Sequence, residues 1–314
     1  MIRNVALIGQ PFWTTRLAQL LNEHAPTSIV ALPVTSWRDL ANLRKIDVFV
    51  RVGYRPGAST WRGVGFDSLW RLARNVLPRT GRAYYWIGTD VANACADERG
   101  RRSWRFRTEC EQATHFAGAP WLADELRAIG VPAIPLLFPG WLPLVSELPP
   151  LPNQLTVATY VPDTRHEFYG STEILAVAAA FPDIDFRVFG GQGAWLPSPP
   201  KNLHFEGWLD DVAAVYERST VLLRLTAHDA LGGTVREALA LGRHVIFSYA
   251  VPYTNFVRFG DVDGLIQALA KLRKSHQQGQ LSLNTDGALF AQAQFNPRTL
   301  TLSFLAALNG CCDQ

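Results

Sequence analysis

The stretch RLTAHDALGGTVREALALGRHVIFSY, residues 224–249, decides how this chain is read. It continues an apolar run, TVLLRLT (220–226), which is the length and composition of a buried strand. His228, Asp229, Gly232, Gly233 and Thr234 follow as a turn. Leu231, Val235, Ala238, Leu239 and Gly242 then recur at the helical period, giving a helix over Gly233–Gly242 with one core face. HVIFSY (244–249) is the next strand. Strand, glycine turn, helix, strand is the repeating unit of a parallel α/β sheet. Gly232-Gly233 leaves the helix N-terminus bare, so its N–H groups can meet a phosphate. Glu237 lies four residues in, on the face of Gly233, and its side chain leans back toward the N-terminus. There it can accept hydrogen bonds from ribose hydroxyls. Asp229 and Glu237 would stand ~12 Å apart in one continuous helix and closer here, since Asp229 precedes it. An extended nucleotide-sugar reaches both: sugar hydroxyls near Asp229, pyrophosphate at the glycines, ribose at Glu237. The blander reading of the two acids is a capping pair on an ordinary helix.

Outward from this stretch the same rhythm covers the chain. Upstream come strands at 155–161, 184–190 and 202–207, with helices at Ser171–Phe181 and Asp210–Ser219. Downstream come helices at Asp263–Ser275 and from Asn296-Pro297 to Leu308. The first half repeats it: strands at 4–9, 27–33, 46–53, 83–88, 114–118 and 131–139, with helices at Thr14–His24, Trp37–Arg44, Phe66–Leu77 and within 121–130. Residues 139–153 hold five prolines, which continue neither a helix nor a central strand. The expectation is a first Rossmann-like domain over 1–145, a second over 146–296, and a C-terminal helix over 297–314 crossing back to the first. Folds of this kind bind ligands at the carboxyl ends of their strands.

The chain has 314 residues, 48% hydrophobic and 18% charged, enough to bury two cores. Its four cysteines show no metal-ligand spacing and are too few for a disulfide scaffold, which fits a reducing compartment. The start, MIRNVALIGQ, is too short in apolar residues for a signal peptide, and no run reaches the ~18 of a membrane span. A cytoplasmic protein is expected. The positive charge sits in residues 1–150, with 18 Lys and Arg against 12 Asp and Glu; all but one of the 18 are arginine. Arginine suits bidentate phosphate contacts, and a basic face docks on anionic lipid. RGRRSWRFR (99–107) is therefore a solvated loop or a membrane-surface or phosphorylated-acceptor site; nucleic acid is the weakest reading. Trp61, Phe66, Leu69, Trp70 and Leu72, flanked by Arg62, Arg71 and Arg74, form either packed core or a lipid-facing side. The membrane reading places the protein peripherally on the inner face.

Asp229, seven residues, Glu237, then Ala-Leu-Ala-Leu-Gly and a buried strand resembles the retaining glycosyltransferases of the family 4 type, which have the GT-B fold. GGQG (190–193), EGWLDDVAAVYERSTVLLRLT (206–226) and THFAGAPWLADELRAIGVPAIPL (114–136) are similar to other parts of that family. The resemblance implies two Rossmann-like domains facing a central cleft. It implies transfer of a sugar, with retention, from a UDP or GDP donor to a glycan or lipid-linked acceptor. No Asp-X-Asp motif stands at a strand end as a convincing metal site, so no metal or other cofactor is expected. Asp229 stands for the family's first Glu. Tyr169-Gly170 stands where the family has Lys-Gly, so Arg165, His166 or Arg224 is the candidate to supply the missing charge. Catalytic roles fall to Asp229, Arg165 and Asp90. Donor contacts fall to Glu237, Gly232, Gly233, Thr234, His228, Arg224, Gly191 and His166. Gly88-Thr89-Asp90 follows a strand of the first half; Asp90 orients an acceptor hydroxyl or caps the next helix. Gly9 and Gln10, at the first strand-to-helix turn, are acceptor-side candidates with Thr89. Asp183-X-Asp185 and Asp261-X-Asp263 have metal-like spacing but read as turns before an element. The altered clamp keeps a second reading open, a non-catalytic GT-B homologue that binds nucleotide or glycan as a partner subunit. A nucleoside-diphosphate-sugar epimerase on the same fold is a third.

Overall fold

The computed structural model describes residues 3–25, 29–34, 39, 46–53, 68, 70, 72, 75, 80–102 and 104–311. The expected helix at Trp37–Arg44 and most of that at Phe66–Leu77 lie outside them, as do Trp61, Arg62, Phe66, Leu69, Arg71 and Arg74. The chain forms two compact units: Met1–Gly140 with Asp229–Leu231 and Asn296–Gln314, and Trp141–His228 with Gly232–Phe295.

The first unit is built on a six-stranded parallel sheet of β1 (Asn4–Gly9), β2 (Val30–Val34), β3 (Val48–Val52), β4 (Gly81–Trp86), β5 (Thr114–Ala117) and β6 (Ala133–Pro135), in the order β2-β1-β3-β4-β5-β6. Alternate side chains supply two cores, as the pleat requires. Ala6, Ile8, Phe49, Tyr84 and Trp86 face one, with Leu122 and Leu126 of the helix Pro120–Ala128. Val5, Leu7, Val50 and Tyr85 face the other, with Leu17 and Leu21 of α1 (Pro11–His24). Trp70 is buried and lies 4.9 Å from the Tyr84 ring, so this one aromatic of the expected amphipathic side is core. The remaining helices here are α2 (Thr89–Ala96), α3 (Glu98–Arg101), α4 (Trp104–Glu111) and α5 (Pro120–Ala128). The arginine run is thus carried by two short helices, where a loop was one expectation. Its Trp104 is 64% exposed.

The second unit repeats the plan. Its strands are β7 (Thr156–Tyr160), β8 (Asp185–Phe189), β9 (Leu203–Gly207), β10 (Val221–Arg224), β11 (His244–Phe247) and β12 (Asn255–Phe256), all parallel, in the order β12-β11-β10-β7-β8-β9. Renumbered within the unit this is the 3-2-1-4-5-6 order of a dinucleotide-binding sheet read from the other edge. Helices α6 (Ser171–Ala180), α7 (Ala213–Glu217), α8 (Gly233–Ala240), α9 (Val262–Gln277) and α10 (Thr285–Gln294) complete it. The helix expected over Asp210–Ser219 shrinks to five residues. Asp211 accepts the N–H of Ala213 just ahead of it, satisfying a donor the missing turn would have engaged.

The last helix, α11 (Pro297–Asn309), opens on the Asn296 side chain, which accepts the N–H groups of Arg298 and Thr299. Its Phe304, Leu305 and Leu308 enter the first unit's core beside Tyr85 and Phe116. The proline-rich stretch is also tied down. Arg243, fully buried, donates to the carbonyls of Pro149 at 2.5 Å and Pro150 at 3.1 Å. Pro149 and Pro150 present carbonyls and no N–H groups, so a donor such as guanidinium suits them.

Candidate functional site

In the second unit β7 and β10 lie side by side, with strands of opposite chain progression to either side. The connections from their carboxyl ends therefore diverge, which opens a crevice. Tyr160 ends β7 and Arg224 ends β10. The Arg224 guanidinium carbon lies 5.2 Å from the Tyr160 ring centre and 5.1 Å from that of Tyr169, and the residue is 7% exposed. Two aromatic faces thus hold a buried cation at this strand end.

The helix after β10 begins at Gly233 with no side-chain cap on Gly232. Glu237, 7% exposed, turns its Oε1 back to within 3.2 Å of the point a Cβ on Gly233 would occupy. The backward lean expected from helix geometry is what the structure shows. Gly233 leaves room for this carboxylate. The other oxygen, Oε2, accepts a hydrogen bond from the Tyr216 hydroxyl at 3.1 Å. Burial pushes the Tyr216 phenol well above its ordinary pKa, the Glu237 charge and hydrogen bond push it further, and Arg224 pulls it back. Arg224, Tyr216 and Glu237 therefore act as one electrostatic cluster. Thr234, half-buried on the first turn, has a hydroxyl oxygen shielded from solvent with no hydrogen-bond partner among the described residues.

The other donor-side candidates have contacts of their own. His228 is half-buried. Arg165 is exposed, has a left-handed backbone and lies with its guanidinium carbon 4.1 Å from the Phe168 ring centre. His166 stacks on Trp195 at 4.8 Å and its Nδ1 is 2.9 Å from Ser171 Oγ. Gly191 is packed so closely that a Cβ would lie 2.6 Å from the Asp163 nitrogen. The Asp163 carboxylate accepts the N–H groups of Gln192 and Ala194, each at 2.9 Å, and these bonds hold its pKa below the usual value. The glycines of GGQG are accordingly required by the loop's own packing, and Asp163 organises it.

In the first unit, Gly9 closes β1 where a Cβ would stand 2.1 Å from the Val52 carbonyl oxygen of β3, so strand contact alone demands glycine there. Gln10 is exposed, and its carbonyl accepts the Thr14 hydroxyl and N–H groups. Thr89, half-buried, begins α2. Asp90 is 6% exposed and its carboxylate accepts the N–H groups of Gly88 at 2.8 Å, Ile87 at 3.0 Å and Val91 at 3.1 Å. Burial raises its pKa to about 6 against these bonds. These contacts tie the 87–88 loop to the first turn of α2 from a residue inside the helix, whose N-cap is Gly88. Asp229 is half-buried, and its carbonyl receives the Trp121 indole N–H at 2.7 Å.

Sequence reasoning missed Tyr216, Tyr160 and Tyr169 as parts of the cluster, and Asp163 and Arg243 as organisers. The clue for Tyr216 was a polar aromatic on the apolar side of a helix. Among the described residues no group of three or more His, Cys, Asp or Glu is placed to hold a metal ion. Asp183 pairs with Arg273 at 2.8 Å, and Asp261 caps α9 through the N–H of Gly264. No helix of the described residues is long and apolar enough to cross a membrane.

No family model matches the chain, and no curated protein is similar to it in sequence. Solved structures do resemble it. HepE of Anabaena, solved with UDP and glucose, aligns at 10% identity over 98% of this chain and 100% of its own, with a TM-score of 0.70. Sucrose-phosphate synthase of Thermosynechococcus elongatus aligns at 15% identity over 98% of each chain, also at 0.70. The fold is that of the GT-B glycosyltransferases. A glycosyltransferase of Rickettsia africae gives the same GT-B match, at 10% identity over 98% of each chain and a TM-score of 0.67.

Proposed function

We propose that the protein is a glycosyltransferase that moves a sugar, with retention, from a UDP or GDP donor to a glycan or lipid-linked hydroxyl. The observation that carries this is the buried Glu237 carboxylate turned over Gly233 at the start of α8, sharing the Tyr216 phenol with Arg224 of the strand crevice. A carboxylate there accepts both hydroxyls of a ribose, and the bare helix end receives the diphosphate. That HepE was solved with UDP and glucose, and in a second structure with UDP-glucose, supports a donor of this class.

In this reading Arg224 and the helix N–H groups stabilise the negative charge that grows on the departing diphosphate. Its aromatic clamp fixes it where the family has a loop lysine; Tyr169 replaces that lysine and becomes part of the clamp. His228 and Thr234 line the donor pocket, and Arg165 and His166 flank it. Asp229 addresses the sugar. Gly9, Gln10 and Thr89 stand on the acceptor side. The bond from the anomeric carbon to phosphate breaks as that to the acceptor oxygen forms, and positioning does most of the work. We expect Arg224 and the helix N–H groups to meet the diphosphate charge without a metal; Asp183 and Asp261 sit in an ion pair and a helix cap. The exposed Trp104, with the exposed Arg102, fits peripheral contact with anionic lipid from the cytoplasmic side. Such contact suits a lipid-linked acceptor.

The test is sugar transfer and donor hydrolysis across UDP- and GDP-sugars with acceptor mixtures, with Glu237→Ala as control. Turnover lost in the variant upholds the proposal. Binding without turnover for every donor favours the second reading, a donor-binding homologue, which the engagement of Asp90 by backbone already motivates.

A further inference from the structure

The two oxygens of Glu237 have different surroundings. Oε1 faces Gly233 at the helix start, and Oε2 meets the phenol of Tyr216 in the interior. Tyr216 is 1% exposed and sits near the end of α7. Its ring meets Phe189, the last residue of β8, edge-on at 6.0 Å. Packing therefore fixes the ring, and the fixed ring aims the hydroxyl. A carboxylate on a long side chain otherwise rotates broadly about its last torsion. Recognition of a vicinal diol needs that torsion set, because two donors a fixed distance apart must meet the carboxylate together.

We propose that Tyr216 is a positioning residue that sets the Glu237 carboxylate for the ribose 2′,3′-diol and so makes the site select ribonucleotides over deoxyribonucleotides. This rests on the donor reading of Glu237 given above. The phenol has no contact with the nucleotide in this scheme. It acts by anchoring Oε2 so that the carboxylate keeps one orientation. Phenylalanine keeps the ring and its contact with Phe189 and loses only the anchoring hydrogen bond.

The experiment is calorimetric binding of UDP, GDP and their 2′,3′-dideoxy analogues to the full chain, as wild type, Tyr216→Phe and Glu237→Gln. Thermal melting is run alongside to confirm folding. Wild type is expected to prefer each ribonucleotide over its dideoxy partner by at least tenfold. Tyr216→Phe is expected to lose affinity for the ribonucleotides by about tenfold, the size of one hydrogen bond to a charged group. Its affinity for the dideoxy analogues should stay at the wild-type value, so that discrimination collapses. A purely structural role would weaken all four ligands alike. Should Tyr216→Phe melt too low to assay, Phe189→Leu, which keeps the phenol but loosens the ring that aims it, must lower the same ribo-to-dideoxy ratio, and an unchanged ratio there overturns the inference. An unchanged ribo-to-dideoxy ratio in Tyr216→Phe overturns the inference while leaving the donor reading intact. Wild type binding neither UDP nor GDP overturns both.

Discussion

Gly233→Ala separates the helix from the site it serves. The backbone of Gly233 is not in the left-handed region, so alanine meets no conformational strain there. On propensity alone it stabilises the helix by up to about 1 kcal/mol. The added Cβ, however, stands 3.2 Å from Glu237 Oε1, tighter than ordinary contact, so the carboxylate must give by a few tenths of an ångström. It cannot do so freely, because Oε2 is bonded to the buried Tyr216 hydroxyl at 3.1 Å. Stretching a hydrogen bond to a charged acceptor costs about 1 kcal/mol, a fraction of its full worth. The two effects offset each other, and the melting temperature should move by no more than a few degrees. Binding has no such offset. The methyl group covers the helix start where the diphosphate is placed, and the carboxylate is displaced from the diol. UDP or GDP affinity should fall about tenfold or more, roughly 1.4 kcal/mol. Calorimetry on Gly233→Ala, Glu237→Gln and the double variant reads this directly. Losses in the double should be smaller than the sum, since both act on one carboxylate. Unchanged nucleotide affinity in Gly233→Ala, or strictly additive losses, would refute the reasoning.

Other outcomes follow from the same geometry. Arg224→Lys should reduce turnover at least tenfold in a donor-hydrolysis assay, since a compact ammonium cannot stack between Tyr160 and Tyr169 as the planar guanidinium does. Arg243→Ala should destabilise the protein by about 3 kcal/mol or more in urea unfolding, because the Pro149 and Pro150 carbonyls lose their donor and a large buried side chain is removed. Asp90 has a pKa raised by burial to about 6 from an ordinary 3.8, so the folded state holds its proton more tightly than the unfolded one. Its contribution is therefore most favourable below about pH 4 and is lost as pH rises to about 6, by on the order of 2–3 kcal/mol. Asp90→Asn should remove that slope in stability measured against pH, with Asn Oδ1 still able to accept the loop N–H groups. Gly9→Ala should prevent folding or cost several kcal/mol, since its Cβ would overlap the Val52 carbonyl.

What could be read in the sequence divides along the range of the interactions involved. The strands of both units were visible because parallel strands buried on two faces are continuous apolar runs, as in NVALIG and TVLLRLT. The pairing of Glu237 with Gly233 was visible because both lie on one helix, whose geometry is known before any fold is. Tyr216 lies 21 residues before Glu237, across a strand and a turn, and no local period relates them. The same holds for Arg243 and Pro149, 94 residues apart. Other local signals carry two meanings at once. Gly9, Gly191 and Asp90 are residue types that ligand sites favour, and each also has contacts within its own unit that call for that residue type: the Val52 carbonyl, the Asp163 backbone, and the N–H groups of 87, 88 and 91. Glycines and carboxylates at strand ends serve tight turns and ligands through the same physics, namely close backbone approach and oriented N–H donors. What distinguishes Glu237 is where its two oxygens lie: Oε1 against Gly233 at the start of α8, and Oε2 held by the Tyr216 phenol, on which Arg224 also acts.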